Sequence, residues 1–326
     1  MIAIHQNKVK YVQESFKKDI KRHYKNAIKN LNKLKGEFKY QQEIDYLQKV
    51  IDLFTDNEDI LVWPLDKLDS EKDNLPNIPY ISITPSKPKG IKSNIGTLII
   101  EKLGYTSKRK SFYPKYFKEI GIRACVYCNS QHTIIIEKTS KSNDYSAKFE
   151  VDHYHSKSEY PFLSICLFNL YPACSSCNGV KSNNPIEFNL YTNDAIKTTK
   201  SDYKFKLSPY SKAKYLVTKD SNDIEVNFEE PNYSKPNMRT FNDVFHIESI
   251  YQTQTDLIEE IIIKNQIYNK SYLQTLKYNF DKLSLQPELF KRTIVGNYIK
   301  DKDLHKRPMS KLVMDIAKDL GLIKND

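Results

Sequence analysis

Apolar positions near the start of the chain recur at spacings of three and four. Val9, Val12, Phe16, Ile20, Tyr24, Ile28, Leu31 and Leu34 make one stripe, and the lysines fall off it. Such a period places the stripe on one face of an α-helix. Gly36 is a natural stop, and Tyr40, Ile44, Leu47, Ile51 and Phe54 restart the period, so residues 1–62 are expected to form a basic helical hairpin. Pro64, Pro76, Pro79, Pro85 and Pro88 then break any period. They predict a long connection or irregular cap over 64–97, with a short helix at 96–103, inside a second segment spanning 63–119. Residues 120–190 read as short strands, loops and one compact helix. In 191–326, Tyr203–Leu207 and Ile224–Phe228 alternate as the strands of a hairpin would, and long helical periods fill 241–280. Met309, Leu312, Val313, Ile316 and Leu320 line a last helix, with Pro308 in its first turn and Gly321 at its end. The expected fold class is α+β, a small central core flanked by mainly helical regions, without internal repeats.

Charge sharpens this picture. Lys and Arg exceed Asp and Glu by 51 − 40 = 11, with a pI of about 9.1. Residues 1–40 alone hold eleven basic against three acidic residues. A basic balance favours polyanionic partners, and the first helices are read either as a packing unit with a solvated face or as a face that also contacts phosphates. Lys8, Lys10, Lys17 and Lys18 interrupt the start of the chain, so no secretory signal is expected. The apolar cluster Ile261–Ile263 is flanked by Glu260 and Lys264, and no run approaches the length of a membrane span. The expectation is a soluble, cytoplasmic protein without a membrane partner. No nucleotide-binding glycine loop is evident.

Four of the five cysteines form two pairs of equal gap, Cys125/Cys128 and Cys174/Cys177, separated by 45 residues. Two such knuckles can present four thiolates to one tetrahedral Zn²⁺ while the intervening chain loops out. A closed set of four leaves no position for water, so this zinc is expected to be structural. Cys166, in the apolar stretch Phe162 to Leu167, is read as a buried small hydrophobe.

Within the loop lies Glu150-Val-Asp-His-Tyr-His-Ser-Lys-Ser158, and across the second knuckle Asn169-Leu-Tyr-Pro-Ala-Cys-Ser-Ser-Cys-Asn-Gly-Val-Lys181. Phosphodiester hydrolysis needs a base to activate water and a hard cation to neutralise developing charge. The Asp152 carboxylate and the Asn178 amide oxygen suit Mg²⁺ or Mn²⁺, and a neutral His153 can accept a proton. Alternation of Phe149, Val151 and His153 with Glu150 and Asp152 predicts a strand that sets Asp152 and His153 on opposite sides, with 154–168 as a loop that wraps back. A helix beginning near Pro172 is expected to carry Cys174, Cys177, Asn178 and Lys181.

Over about 60 of the 326 residues the chain resembles the HNH (ββα-metal) endonuclease family, in its subset with a zinc ribbon of two Cys-x-x-Cys pairs. The resemblance implies a ββα-metal core with His153 as general base and Asp152 and Asn178 as ligands of a catalytic Mg²⁺ or Mn²⁺. Asn169 would fix the loop and orient His153, and Lys181 would contact phosphate. His155 is either a surface histidine or a contact to substrate or metal-bound water. Glu150, on the side of Asp152, is either a solvated strand residue or an additional ligand. Ser156 stands where the family commonly has proline.

The activity implied is metal-dependent cleavage of nucleic acid, with DNA favoured over RNA. Stand-alone HNH proteins with this loop and helical flanks look like nuclease effectors of bacterial anti-phage systems, some of which work beside an ATPase or other defence-system subunit. Three other readings stay open: a non-catalytic zinc-dependent nucleic-acid-binding module, a mobile-element nuclease, and a protein-interaction scaffold built on the helical flanks.

Overall fold

The computed structural model describes residues 1–79, 94–139, 142–232 and 239–323. Strand β1 (Ile4–His5) leads into α1 (Gln6–Ser15), α2 (Lys17–Asn32) and α3 (Gln41–Asp56). The expected first helix is therefore two, with the break at Phe16. The break turns Phe16 inward, where its ring meets Phe112 edge-on at 5.6 Å and Tyr116 at 5.8 Å. On α3 the buried face is Tyr46, Leu47, Val50, Ile51 and Phe54. Tyr40 and Ile44, expected on that face, are exposed.

The segment expected as an irregular connection contains α4 (Leu65–Glu71), which buries Leu65 and Leu68; Pro85 and Pro88 lie outside the described residues. Helix α5 (Ile95–Leu103) occupies the expected place, capped by the Asn94 side chain, which accepts from Thr97 N at 2.8 Å. Two further helices, α6 (Tyr105–Lys108) and α7 (Phe112–Ile120), follow in a stretch that read only as basic. Both α5 and α7 end at a left-handed glycine, Gly104 (φ +83°) and Gly121 (φ +90°), a conformation that costs other residues energy.

The centre holds the antiparallel hairpin β2 (Ile134–Thr139) and β3 (Ser142–Lys148), then β4 (Glu150–His153) paired antiparallel with β5 (Leu170–Ala173), then α8 (Ser175–Lys181). Pro172 thus sits in β5, opposite Val151, and the helix starts three residues later than expected. Next come β6 (Tyr191–Thr192), which pairs parallel with β1, then α9 (Ala195–Thr199), β7 (Lys204–Leu207), α10 (Pro209–Thr218) and β8 (Val226–Glu229). Strands β7 and β8 pair antiparallel as expected, and α10 occupies the connection between them. Helices α11 (Phe241–Phe245), α12 (Ile247–Gln252), α13 (Thr255–Ile267), α14 (Lys270–Asp281), α15 (Pro287–Val295) and α16 (Ser310–Asp319) complete the chain.

Helix side chains satisfy backbone amides on the outer edges of the β7–β8 ribbon. Asp315 and Asp319 accept from Phe205 N and Leu207 N, and Gln252 and Glu248 accept from Val226 N and Phe228 N. Covered edges cannot recruit another strand. Helix α16 is buried almost all round, with Leu312, Val313, Met314, Ile316 and Ala317 in the core. Pro308 precedes it, Met309 turns into it at φ 60°, and Gly321 follows it at φ +76°. The buried hydrophobic residues, from Met1 to Ile323, make one continuous cluster. The molecule is a mixed α+β protein, mainly helical, and no helix among the described residues is long and apolar enough to cross a membrane.

Candidate metal centre and active site

The chain between Ala124 and His132 turns back on itself, joined by an isolated bridge between those two residues. Cys125 and Cys128 lie in the turn, which closes where Asn129 N donates to Cys125 O at 2.9 Å and Asn129 takes a left-handed φ of 54°. The second pair straddles the start of α8: Cys174 is its N-cap, and its sulfur accepts from Cys177 N. The four Sγ atoms lie within 4.8 Å of one another, with Cys128 and Cys174 3.9 Å apart. A tetrahedron with Zn–S bonds of about 2.3 Å has edges of about 3.8 Å, so the cluster is compatible with zinc. Peptide N–H groups of Ser130 and Cys174 and the Ser130 hydroxyl point at these sulfurs from 3.1 to 3.4 Å, as donors to thiolates would. Cys166 is buried apart from them, and burial pushes its thiol up, which fits the expected small hydrophobe.

Later parts of the chain clasp the first knuckle. Asn129 Oδ1 accepts from Lys311 N and Ser310 Oγ, its Nδ2 donates to Leu304 O, and Tyr251 OH donates to Cys128 O at 2.7 Å. None of these contacts was foreseen, since no local pattern links positions so far apart.

The zinc-compatible cluster adjoins a hairpin and helix that carry the other candidates. On β4, Asp152 is buried; its Oδ2 accepts from Tyr127 OH at 2.5 Å and lies 3.3 Å from Lys181 Nζ. Its Oδ1 has no hydrogen-bond partner among the described residues. Next to it His153 is 3% exposed, and its Nε2 lies 3.1 Å from Ser164 O. A carbonyl only accepts, so Nε2 carries the proton and Nδ1 the lone pair. Burial, helped by the charge of Lys157, pushes the imidazole down to about 3, so it is neutral at pH 7. Tyr105 fixes this strand from the side: its hydroxyl donates to Val151 O at 2.7 Å, and its ring lies 4.7 Å from that of His153.

Asn169 ends the loop 154–168, where its side chain accepts from His155 N at 2.7 Å and donates to His155 O and Leu163 O. It acts on His153 only through the loop that brings in Ser164. The loop is braced again at Ser156, whose hydroxyl bonds to Ser158 and Asn183, so hydrogen bonds stand where a proline ring would stiffen the chain. Asn178, half-buried on α8, has no side-chain partner among the described residues.

Three expected positions differ in surroundings. Lys181, expected at phosphate, is 1% exposed and donates to His153 O at 2.9 Å beside Asp152; α8 directs it into the protein. His155 is buried rather than on the surface, with Nε2 2.9 Å from Asp69 Oδ1, because α4 packs over the loop. Glu150 is paired with Arg109 at the end of α6. Arg109 and Lys157, whose ammonium lies 5.1 Å from the Tyr105 ring centre, are cations close enough to His153 for their charge to act on it. Arg109 lies in the basic run Ser107–Lys110, and Lys157 lies within the Glu150–Ser158 stretch, where it drew no role from the sequence. Compared with family models, curated proteins and solved structures, the chain matches none.

Proposed function

We propose that the protein is an HNH-type, metal-dependent endonuclease that hydrolyses phosphodiester bonds, with DNA as the favoured substrate. The observation that carries this reading is the state of His153: neutral, with Nε2–H held by Ser164 O and Nδ1 left as an acceptor, beside a carboxylate with a free oxygen. A histidine held in this way can accept a proton at Nδ1. The ββα order of β4, β5 and α8 supports this reading further, as does the four-cysteine cluster at the root of the same helix.

In this reading Nδ1 of His153 takes a proton from the attacking water, and the Ser164 carbonyl steadies the imidazolium so formed. Tyr105 keeps the ring from turning, and Lys157 and Arg109 hold the phosphate. Asp152 Oδ1 and the Asn178 amide oxygen are the hard donors that would hold Mg²⁺ or Mn²⁺. Such an ion, when bound, supplies charge neutralisation at the phosphate and leaving oxygen. The role offered is that of an effector nuclease in bacterial anti-phage defence, working beside an ATPase or other subunit, as the sequence resemblance implies.

The test is plasmid cleavage in Mg²⁺ or Mn²⁺, with EDTA as control. His153→Ala should lower the rate by roughly 10²-fold or more; equal cutting by both proteins would sink the assignment. One observation favours a second reading. Asp152 Oδ2 is already taken by Tyr127 and Lys181, as in a carboxylate kept for structure. A non-catalytic zinc-dependent binding module would bind nucleic acid and cut neither duplex DNA, single strands nor RNA.

A further inference from the structure

Helix α2 carries basic residues at Lys18, Arg22, Lys25 and Lys29, spaced four, three and four, so they form one stripe. All four are exposed, opposite the face that buries His23, Tyr24, Ala27 and Leu31. Among the described residues, Arg22 pairs with Asp19 and the three lysines have no partner. The stripe does not end in open surface. His23 Nε2 bonds Leu103 O at 2.9 Å, which seats the end of α5 and the start of α6 against α2. Lys108 on α6 thereby stands within the field of Arg22 and Asp19. The next residue is Arg109, held by Glu150, and beyond it is Lys157 beside His153.

We propose that the α2 stripe of Lys18, Arg22, Lys25 and Lys29, with Lys108 and Arg109 next to it, is a track for the backbone of duplex DNA that delivers a phosphodiester to His153. The proposal rests on the nuclease reading for its destination, but not for its binding surface. From Lys18 to Lys29 the stripe is about 16 Å long at ~1.5 Å per residue, which matches about five phosphates of one strand. Duplex is favoured over single strand because single-strand channels interleave cations with stacking aromatics. The stripe has none: Tyr24, the one tyrosine of α2, is buried with its hydroxyl on Phe54 O.

The test is binding of the full chain to a duplex DNA of about 30 base pairs, long enough to cover the track several times, across a salt series without added Mg²⁺ or Mn²⁺. The triple variant Lys18→Gln, Lys25→Gln, Lys29→Gln is compared with a charge-matched control, Lys219→Gln, Lys270→Gln, Lys277→Gln. The track predicts at least about tenfold weaker binding of the first variant at 0.1 M salt and a log–log slope lower by roughly 2 to 3, with the control unchanged. Equal behaviour of the two variants, no duplex binding by the wild type, or tighter binding of single strands overturns it. Because no Mg²⁺ or Mn²⁺ is added, binding is read separately from cleavage. Lost binding with an inactive wild type would keep the track and remove the nuclease, whereas an active wild type with an indifferent triple variant would do the reverse.

Discussion

Lys181 shows how one side chain can be read two ways. As a phosphate contact it would be expendable for folding, and its loss would raise KM alone. Its ammonium is instead sealed between His153 O and the Asp152 carboxylate. Removing one partner of a buried pair leaves the other charge uncompensated, at a cost of about 3 to 5 kcal/mol. Lys181→Met should therefore lower the urea midpoint by an amount equivalent to several kcal/mol, while Lys157→Gln should leave the midpoint nearly unchanged and weaken substrate binding. A Lys181→Met protein as stable as the wild type would return this residue to the substrate side. At this scale the sequence showed residue types well and directions poorly: Asp152 and His153 could be singled out as an adjacent pair, but nothing in the cysteine knuckle or the apolar stretch Phe162–Leu167 marked Tyr127 and Ser164 as the partners that orient them.

Among elements, α8 depends most on the cysteine cluster. It has seven residues, too few to hold as an isolated helix, and its N-cap is a cluster sulfur. If zinc occupies the cluster, the chain should carry one equivalent by elemental analysis, and Cys177→Ser should abolish that equivalent and lower the melting temperature by several degrees or more. A metal-free protein with four reduced thiols and unchanged stability would count against zinc. Elements were legible where periodicity was local and long: the stripes of α2 and α3, the alternation of β7 and β8, and the last helix. They were illegible where tertiary packing decided the outcome. The break at Phe16 exists because Phe112 and Tyr116 wait on α7, and α7 itself hid behind lysines because its apolar face is aromatic. Helix α10 was missed because strand partners are recognised by pattern, and nothing in their pattern fixes what lies between them.

At the scale of the whole molecule, two buried histidines tie distant segments together and make stability depend on pH. His23 bonds Leu103 O and is pushed down to about 4 by burial, with Lys108 adding to the effect. His305 bonds Ile2 O and is pushed down to about 3 by burial, with the terminal amine and Lys8 adding. Unfolded, both would titrate near ~6.5, so between these values the unfolded chain binds more protons. Their contribution is then fully present above about pH 6.5 and falls as pH drops through 5 towards 4. Each histidine contributes about 3 kcal/mol at the low end. Asp315, pushed up by burial, opposes this only near the carboxylate range. Urea midpoints measured from pH 7.5 to 4.5 should decline, less steeply in His23→Gln; a flat profile would contradict the burial of both rings.

The clasp on the first knuckle carries a consequence for the order of events. Asn129 meets its partners at Leu304, Ser310 and Lys311, some 175 to 182 positions further along. Synthesis runs from the N-terminus, so a nascent chain exposes both cysteine pairs long before the residues that lock the turn have left the ribosome. Until then the knuckle is an open hand. The turn that holds Cys125 and Cys128 can therefore be clasped only after the chain has been made as far as Lys311.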